Sequence, residues 1–379
     1  MPKKPFRITF IPTMNSGVVY YRMWNFAQAL RKIPNVEVAV YCWQSKQNFC
    51  SEWMKDCYTG NMKHLIKKEL NDLVSMADIT VVQTCMTPMA LSIIQAIKEI
   101  TKKPVFMEVD DYVMNIPRYN AGSEIYWPNS DMESFALEQL KMSDGVITTQ
   151  KHLAEMYEEY NDNIHCVPNS IDFKAWKHKN AEQDFIKIGW IGGGTHSEDL
   201  EMVWPALEEV LEKNKNVKFH CCHGTPDFLK DKKNVIWDND WDYILEYPKL
   251  FASKGFDIGI APLTECAFNV AKSNLRYIEY SAMKIPSVCS NLGHFTDSIK
   301  HGKNGFLADT TGEWIDSLNK LIKSETLRKK MGREAYKNIK ANFEVHGTAR
   351  KYLEILKKEA KKHELRTTRE SNRAKVGRP

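Results

Sequence analysis

Between Phe256 and Asn291 the chain reads FDIGIAPLTECAFNVAKSNLRYIEYSAMKIPSVCSN, and this stretch restricts the fold more than any other. Residues 257–263 form a short apolar run ended by a proline, which predicts a buried strand opening into a loop. Residues 286–290 predict a second buried strand. Between them Leu275, Ile278 and Met283 mark a helical period over 273–283. Lys272 and Ser273 then stand at a helix N-terminus just past a strand end, where unpaired N–H groups and the helix dipole favour an anion. Glu279 follows Lys272 at i, i+7 and so shares its side of the helix. A lysine and N–H groups for phosphate, with a carboxylate deeper for hydroxyls, suit a sugar nucleotide. Asn269, Asn274 and Arg276 complete the polar set.

The rest of the chain alternates strands and helices in two blocks, which predicts two doubly wound α/β domains. The first block opens with a strand at 7–11, a loop to Gly17 and an amphipathic helix over 18–32. That turn suits an anion, with Gly17 and Arg22 as its contacts, or it is an ordinary connection. Further strands are expected at 36–41, 79–83, 105–109, 144–149 and 165–172. The 105–109 strand runs into Asp110 and Asp111. Carboxylates at the C-terminal end of a parallel strand lie where open α/β sheets bind ligands; the other reading is a cap for the next segment. Residues 119–131 show no period and read as an acceptor loop or irregular surface.

Residues 173–184 are polar and read as an interdomain linker. A new strand at 186–191 leads into Gly192, Gly193, Gly194, Thr195 and His196 before a helix over 200–213. Three glycines at a strand end suggest a phosphate-cradling loop rather than a plain turn, because glycine runs cost conformational entropy. Strands follow at 217–222 and 235–237, and helices at 247–254, 311–323, 326–343 and 350–364. Residues 365–379 lack an apolar face and are expected to be disordered. The expected domains are 1–182 on the acceptor side and 183–345 on the nucleotide-sugar side. A C-terminal helix over 346–364 and a basic tail over 365–379 complete the chain.

Two stretches carry a family resemblance. The 256–291 segment resembles the donor half of GT-B glycosyltransferases of the retaining group called family 4, and the run SDGVITT…LAEMY…NIHCVPNSID over 143–172 resembles the end of their first domain. Glu279 matches the second of the family's two glutamates. The first would fall at Ala271, and Asn269-x-x-Lys272-Ser273-x-x-Arg276-x-x-Glu279 resembles a subset in which Lys-Ser replaces it. The family's glycine loop leads to an Arg and a Lys; here the nearest group is His196, which leaves Lys272 as the main cation for a diphosphate.

The resemblance implies two Rossmann-like domains facing a cleft, a nucleotide-diphosphate sugar as co-substrate and transfer with retention. It implies no cofactor and no metal. Lys272, the N–H groups near Ser273 and the glycine loop would stabilise the leaving diphosphate. Glu279 would hold the ribose, with Arg276 in support. Asp110 or Asp111 would meet the acceptor or act as base.

The composition of the 379 residues, 43% hydrophobic and 27% charged, fits a globular chain, and no apolar run approaches the roughly 18 residues of a membrane span. With no signal-like segment at the start, a cytoplasmic protein is expected, at most peripheral to a membrane face. Nine scattered cysteines fit reduced thiols. His220-Cys221-Cys222-His223 looks like a metal cluster, but as a strand it alternates its faces and leaves two ligands a side.

Residues 350–379 hold eleven Lys/Arg against four Glu, a net +7, so the remainder sums to −2 of the total +5. The terminal Lys375-Val376-Gly377-Arg378-Pro379 resembles the Gly-Arg-Pro core of an AT-hook without its leading Arg. The acceptor stays open between a saccharide, a lipid-linked saccharide, a protein and a DNA base. A nucleic-acid-binding protein on a degenerate transferase fold is the alternative of another class.

Overall fold

Strand β1 (Phe6–Ile11) is buried from Ile8 onward and pairs in parallel on both sides, Ile8 opposite Val38 of β2 (Val36–Cys42) and opposite Ile79 of β4 (Ile79–Gln83). Burial on both faces is why these strands read as near-continuous apolar runs instead of alternating. The computed structural model describes residues 4–12, 17–42, 58–59, 69–84, 88–114, 116–120, 131–240 and 245–376. They divide into two compact units: residues 1–110, 129–168 and 345–379, and residues 111–128 and 169–344.

Unit 1 is a seven-stranded parallel sheet in the order β3-β2-β1-β4-β5-β6-β7, with β3 (Tyr58–Thr59), β5 (Val105–Glu108), β6 (Gly145–Thr148) and β7 (Ile164–Cys166). β3 falls in a polar stretch where no strand is expected from sequence. The helix after β1 begins at Gly17 and runs to Leu30 with a π-helical stretch at Tyr20–Trp24. All five π-helical residues are buried, Arg22 among them. Its Nε donates to Glu108 Oε1 at 2.5 Å and its Nη1 to the Val167 carbonyl at 2.7 Å, and both side chains of the ion pair are 1% exposed. Arg22 therefore does not face a ligand as expected; it ties the helix to the ends of β5 and β7. Residues 13–16 of the turn before Gly17 lie outside the described residues.

Unit 2 is a six-stranded parallel sheet in the order β10-β9-β8-β11-β12-β13. Its strands are β8 (Ile186–Ile191), β9 (Val217–Cys222), β10 (Val235–Asp238), β11 (Ile258–Ala261), β12 (Ser287–Ser290) and β13 (Phe306–Ala308). Ile188, Phe219, Ile260 and Val288 of the sheet pack with Leu207 of the Ser197–Lys213 helix and with Trp314 and Leu318 of the Thr311–Lys323 helix. The winding reverses between β8 and β11, so a crevice forms outside their carboxyl ends, where doubly wound sheets bind ligands. β13 was not apparent in the sequence, because three residues after a turn are too few to show a period.

The supposed linker belongs to unit 2. Trp176 is buried against Tyr247 and Phe251, Asn180 Nδ2 donates to the Phe256 carbonyl, and Gln183 Nε2 donates to Gly255 O and Asp257. One aromatic anchor outweighs a polar composition, since a buried Trp removes a large apolar area from water.

Residues 345–379 return to unit 1. A single helix spans Val345–Val376, and its Tyr352 packs edge-on against Phe26 at 5.3 Å. The expected disorder from residue 365 is thus corrected through Val376. Once a helix is nucleated on an anchored segment, each further residue of good propensity adds a bond at little cost. The Gly-Arg-Pro core of the AT-hook-like end lies outside the described residues. No described helix is long and apolar enough to cross a membrane.

The Arg22–Glu108 pair makes a stability prediction. Arg22→Met leaves a buried carboxylate uncompensated and should cost about 3–5 kcal/mol in urea denaturation, most of it recovered in Arg22→Met/Glu108→Gln. A loss below about 1 kcal/mol in the single variant would show that the pair does not hold unit 1 together.

Candidate functional site

The loop after β11 does not form one helix from Ser273. It holds a single turn at Ala267–Val270, then a corner, then the helix Leu275–Ala282 capped by Asn274. This helix is fixed to the sheet by Tyr280, whose hydroxyl donates to the carbonyls of Gly189 and Ile260. A Cβ on Gly259 would lie 2.5 Å from the Tyr280 ring, so only glycine lets the helix approach β11 this closely. Asn274 is fully buried and donates to Ser298 Oγ at 2.7 Å, which makes it a strut and not the ligand contact expected. Ser273 Oγ accepts from Asn169 at 2.9 Å.

Lys272 lies in the corner before the helix, so the i, i+7 argument does not apply to it. Its ammonium sits 4.3 Å from the Phe268 ring centroid and 3.6 Å from Asp111 Oδ1. Asp111 is 42% exposed and belongs to unit 2, whereas Asp110 ends unit 1's portion of the chain. The two aspartates, either of which was expected to meet the acceptor, therefore belong to different units.

Deeper in the helix, Arg276 Nη1 donates to Glu279 Oε2 at 2.8 Å and Tyr247 OH donates to the same oxygen at 3.4 Å. Burial alone would lower the Arg276 value, but the Glu279 charge and hydrogen bond together with Tyr247 and Tyr280 raise it. Burial, then Glu279, pushes Tyr247 well above the ordinary phenol range, so its proton stays on oxygen to be donated.

Across the switch point, β8 runs into the glycines and a turn of 3-10 helix at Gly194–His196. A Cβ on Gly192 would strike the Trp190 ring at 2.5 Å, while one on Gly193 or Gly194 would meet nothing nearer than 4.0 Å. Gly192 is there for packing; the next two leave backbone uncovered. Gly224, in the left-handed region at φ 62°, lies beneath them, and a Cβ there would be 2.3 Å from Gly194 N. Gly224 was not singled out from sequence, although its His-Gly-Thr context is a turn signal.

Asp199 is the residue that sequence reasoning missed most completely. It is fully buried in the first turn of the Ser197–Lys213 helix. Its Oδ1 accepts from Thr264 N at 2.7 Å, Thr264 Oγ1 at 2.9 Å and Asn269 Nδ2 at 3.1 Å; its Oδ2 accepts from His196 Nδ1 at 2.7 Å. Asn269 is also held by the Thr264 carbonyl and by Tyr119 OH, so it too is a strut and not a ligand contact. Thr195 is half-buried. Burial holds His196 below its ordinary value, with Lys272 and Arg276 adding to the effect, so it is neutral at pH 7 and supplies no positive charge to the glycine loop. Residues 121–130 of the expected acceptor loop lie outside the described residues, but Tyr119 at its start packs against Thr264.

Of the His-Cys-Cys-His run, His220, Cys221 and Cys222 end strand β9, and His223 follows it in the left-handed region at φ 56°. His220 and Cys222 share a face and meet Asp238 of β10, their ligand atoms within 4.8 Å of one another. Lys254 already lies against this carboxylate, its Nζ 2.9 Å from Asp238 and 2.8 Å from Asp240. Burial raises the Cys222 thiol above its ordinary range, so a neutral thiol and a lysine cation fill the geometry.

The His196 shift has a consequence for stability. With a folded value below about 6.5, the unfolded chain takes up the proton first as pH falls, so stability is complete above pH 6.5 and lost below it. The melting temperature should fall between about pH 7 and 5, and His196→Asn, which keeps a donor for Asp199, should flatten the slope. An unchanged slope would remove His196 from the account.

With this geometry in hand, comparison with known proteins gives three findings. Residues 275–338, from the Arg276–Glu279 helix onward, match the family described as Glycosyl transferases group 1. No curated protein sequence matches the chain. Among solved structures, the Anabaena protein Alr3699/HepE in complex with UDP-glucose is 13% identical, with a TM-score of 0.69 over 93% of this chain and 99% of that one. A glycosyltransferase from Rickettsia africae is 18% identical, with a TM-score of 0.67 over 94% and 99%. Sucrose-phosphate synthase from Thermosynechococcus elongatus is 11% identical, with a TM-score of 0.64 over 93% and 98%. Identities this low speak for the fold alone. The two Rossmann-like units therefore have the GT-B fold, and the 275–338 segment of the second is similar to the group 1 glycosyltransferases.

Proposed function

We propose that the chain moves a sugar from a nucleoside diphosphate sugar, with uridine as the base, to an acceptor hydroxyl with retention at the anomeric carbon. The observation that carries this reading is Lys272, poised before the Leu275–Ala282 helix on one side of the switch point, with the uncovered backbone of Gly193 and Gly194 on the other. A diphosphate seated there would meet an ammonium and main-chain N–H groups. The UDP and UDP-glucose complexes of HepE support the choice of base. Glu279, oriented by Arg276 and Tyr247, would accept hydrogen bonds from the ribose hydroxyls.

In the reaction the bond from the anomeric carbon to the β-phosphate oxygen breaks as the acceptor oxygen bonds to the same face. The acceptor proton moves to the departing phosphate oxygen. No protein nucleophile takes part. Charge develops on the leaving diphosphate, so Lys272 and the glycine-loop backbone act where stabilisation lowers the barrier. Before the donor arrives Asp111 is the counter-ion of Lys272; the diphosphate would displace it and free its carboxylate to accept from a second hydroxyl of the acceptor and orient it.

Two outcomes check this reading. By calorimetry, Lys272→Ala should weaken UDP ten- to a hundredfold and uridine hardly at all, while Glu279→Gln should weaken both, since each charge-assisted bond contributes about 1.5–3 kcal/mol. Wild-type UDP affinity in both variants would place the donor elsewhere. Asp111→Asn should bind UDP about two- to fivefold more tightly, because a competing exposed ion pair of up to about 1 kcal/mol is gone, and yet transfer more slowly. Weaker UDP binding in that variant would contradict the displacement step.

A further inference from the structure

A second feature lies wholly within unit 1, at the N-terminal ends of its strands. A hollow of about 710 Å³ is lined there by Lys4, Lys102, Lys103, Lys357 and Lys361, with Asp78 and Glu364 as its acids. The Asp78 carboxylate already accepts from the Arg7 backbone N–H at 2.8 Å. Lys361 is shared with an adjoining hollow of about 540 Å³, where Lys358, Lys362, Arg366 and Arg369 face a single acid, Glu370. Lys362 and Arg366 each also reach one acid of unit 1, Glu359 and Asp144. Nine cations thus form one surface on a chain whose other residues, outside 350–379, carry a net negative charge.

We propose that this surface docks duplex DNA through its phosphates. The continuous helix to Val376 makes the cations a rigid row: Lys358, Lys361, Lys362, Arg366 and Arg369 fall on one side of it. From 358 to 369 the row is about 17 Å long at 1.5 Å per residue. A duplex of that length carries about ten phosphate charges, so the row and the lysines of the first hollow match it in density. Beyond the row the exposed helix continues with Ser371 and Asn372, side chains of the kind that bond phosphate oxygens and base edges. An anionic membrane is the weaker fit. A helix that lies in the headgroup layer buries an apolar face beside its cationic one. The one large apolar side chain exposed in the row is Leu365, at 51%; among the described residues elsewhere in unit 1, Met76 and Ile100 are exposed as single residues on other elements.

The test uses the full chain and a labelled 30-base-pair duplex of arbitrary sequence, read by fluorescence anisotropy. The affinity should fall about a thousandfold between 50 and 200 mM salt, a slope near −5 for five or six neutralised phosphates. The variant Lys358→Glu/Lys361→Glu/Lys362→Glu/Arg369→Glu should bind at least a hundredfold more weakly at 50 mM while keeping its melting temperature and its UDP affinity. If that variant does not fold, Lys103→Ala/Lys361→Ala should still lose about tenfold. Vesicles of phosphatidylserine and phosphatidylcholine should bind neither protein. The proposal is overturned by no duplex binding at 50 mM salt, by a folded variant that binds as the parent does, or by vesicles bound more tightly than DNA.

Discussion

One buried carboxylate organises the crevice of unit 2. Asp199 has no exposure, and an isolated ionised carboxylate in such a place would be strongly disfavoured. It is sustained by donors that converge from three places: His196 after β8, the Thr264 backbone and hydroxyl after β11, and Asn269 one short turn later. The same set of bonds therefore fixes the glycine loop, the β11 loop and the corner that carries Lys272. Two loops that must present phosphate-binding groups to one ligand are joined beneath it by a single charge, which is how a loop-built site attains the rigidity of a scaffold.

Polar residues near the crevice accordingly divide into two kinds. Asn269, Asn274 and Asp199 are buried and hydrogen-bonded to neighbouring side chains, and they set positions, as Arg276 and Tyr247 do for Glu279. Lys272, Asp111 and the Gly193–Gly194 backbone keep some exposure and are where chemistry with a ligand can occur. Unit 1 has its own counterpart in Arg22 and Glu108, a buried pair at the ends of its strands that joins a π-helical turn to β5 and β7. In both units a buried charge sits where the backbone of strand ends would otherwise lack partners.

Much of this architecture could be read from residue order. The strands are buried on both faces and their apolar runs announce themselves; ITVVQ, VFME and IKIGWI each became a strand close to the expected limits. Gly192–Gly194 and Lys272 were found because glycine runs and a lysine at a strand–helix junction have local causes. What escaped was non-local. Trp176 looks like one residue of a polar linker until Tyr247 and Phe251 surround it. Arg22 looks like a loop cation until Glu108, 86 residues away, closes on it. β3 and β13 are two and three residues long, too short for any period to emerge.

The sequence by itself determined that two blocks of alternating strands and helices would wind into parallel sheets, because burial pattern and turn chemistry act over a few residues. It also determined that a cation and a glycine loop would lie at strand ends in the second block. Only the tertiary structure decided which charges bind one another and which remain for a ligand. It placed Asp111 with Lys272 and Asp110 in the other unit, made struts of Asn269 and Asn274, and carried the basic C-terminal segment onward as a rigid helix returned to unit 1. The physical reason is common to all of these. A side chain's role depends on what desolvates it and what satisfies it, and those neighbours come from segments that residue order leaves far apart.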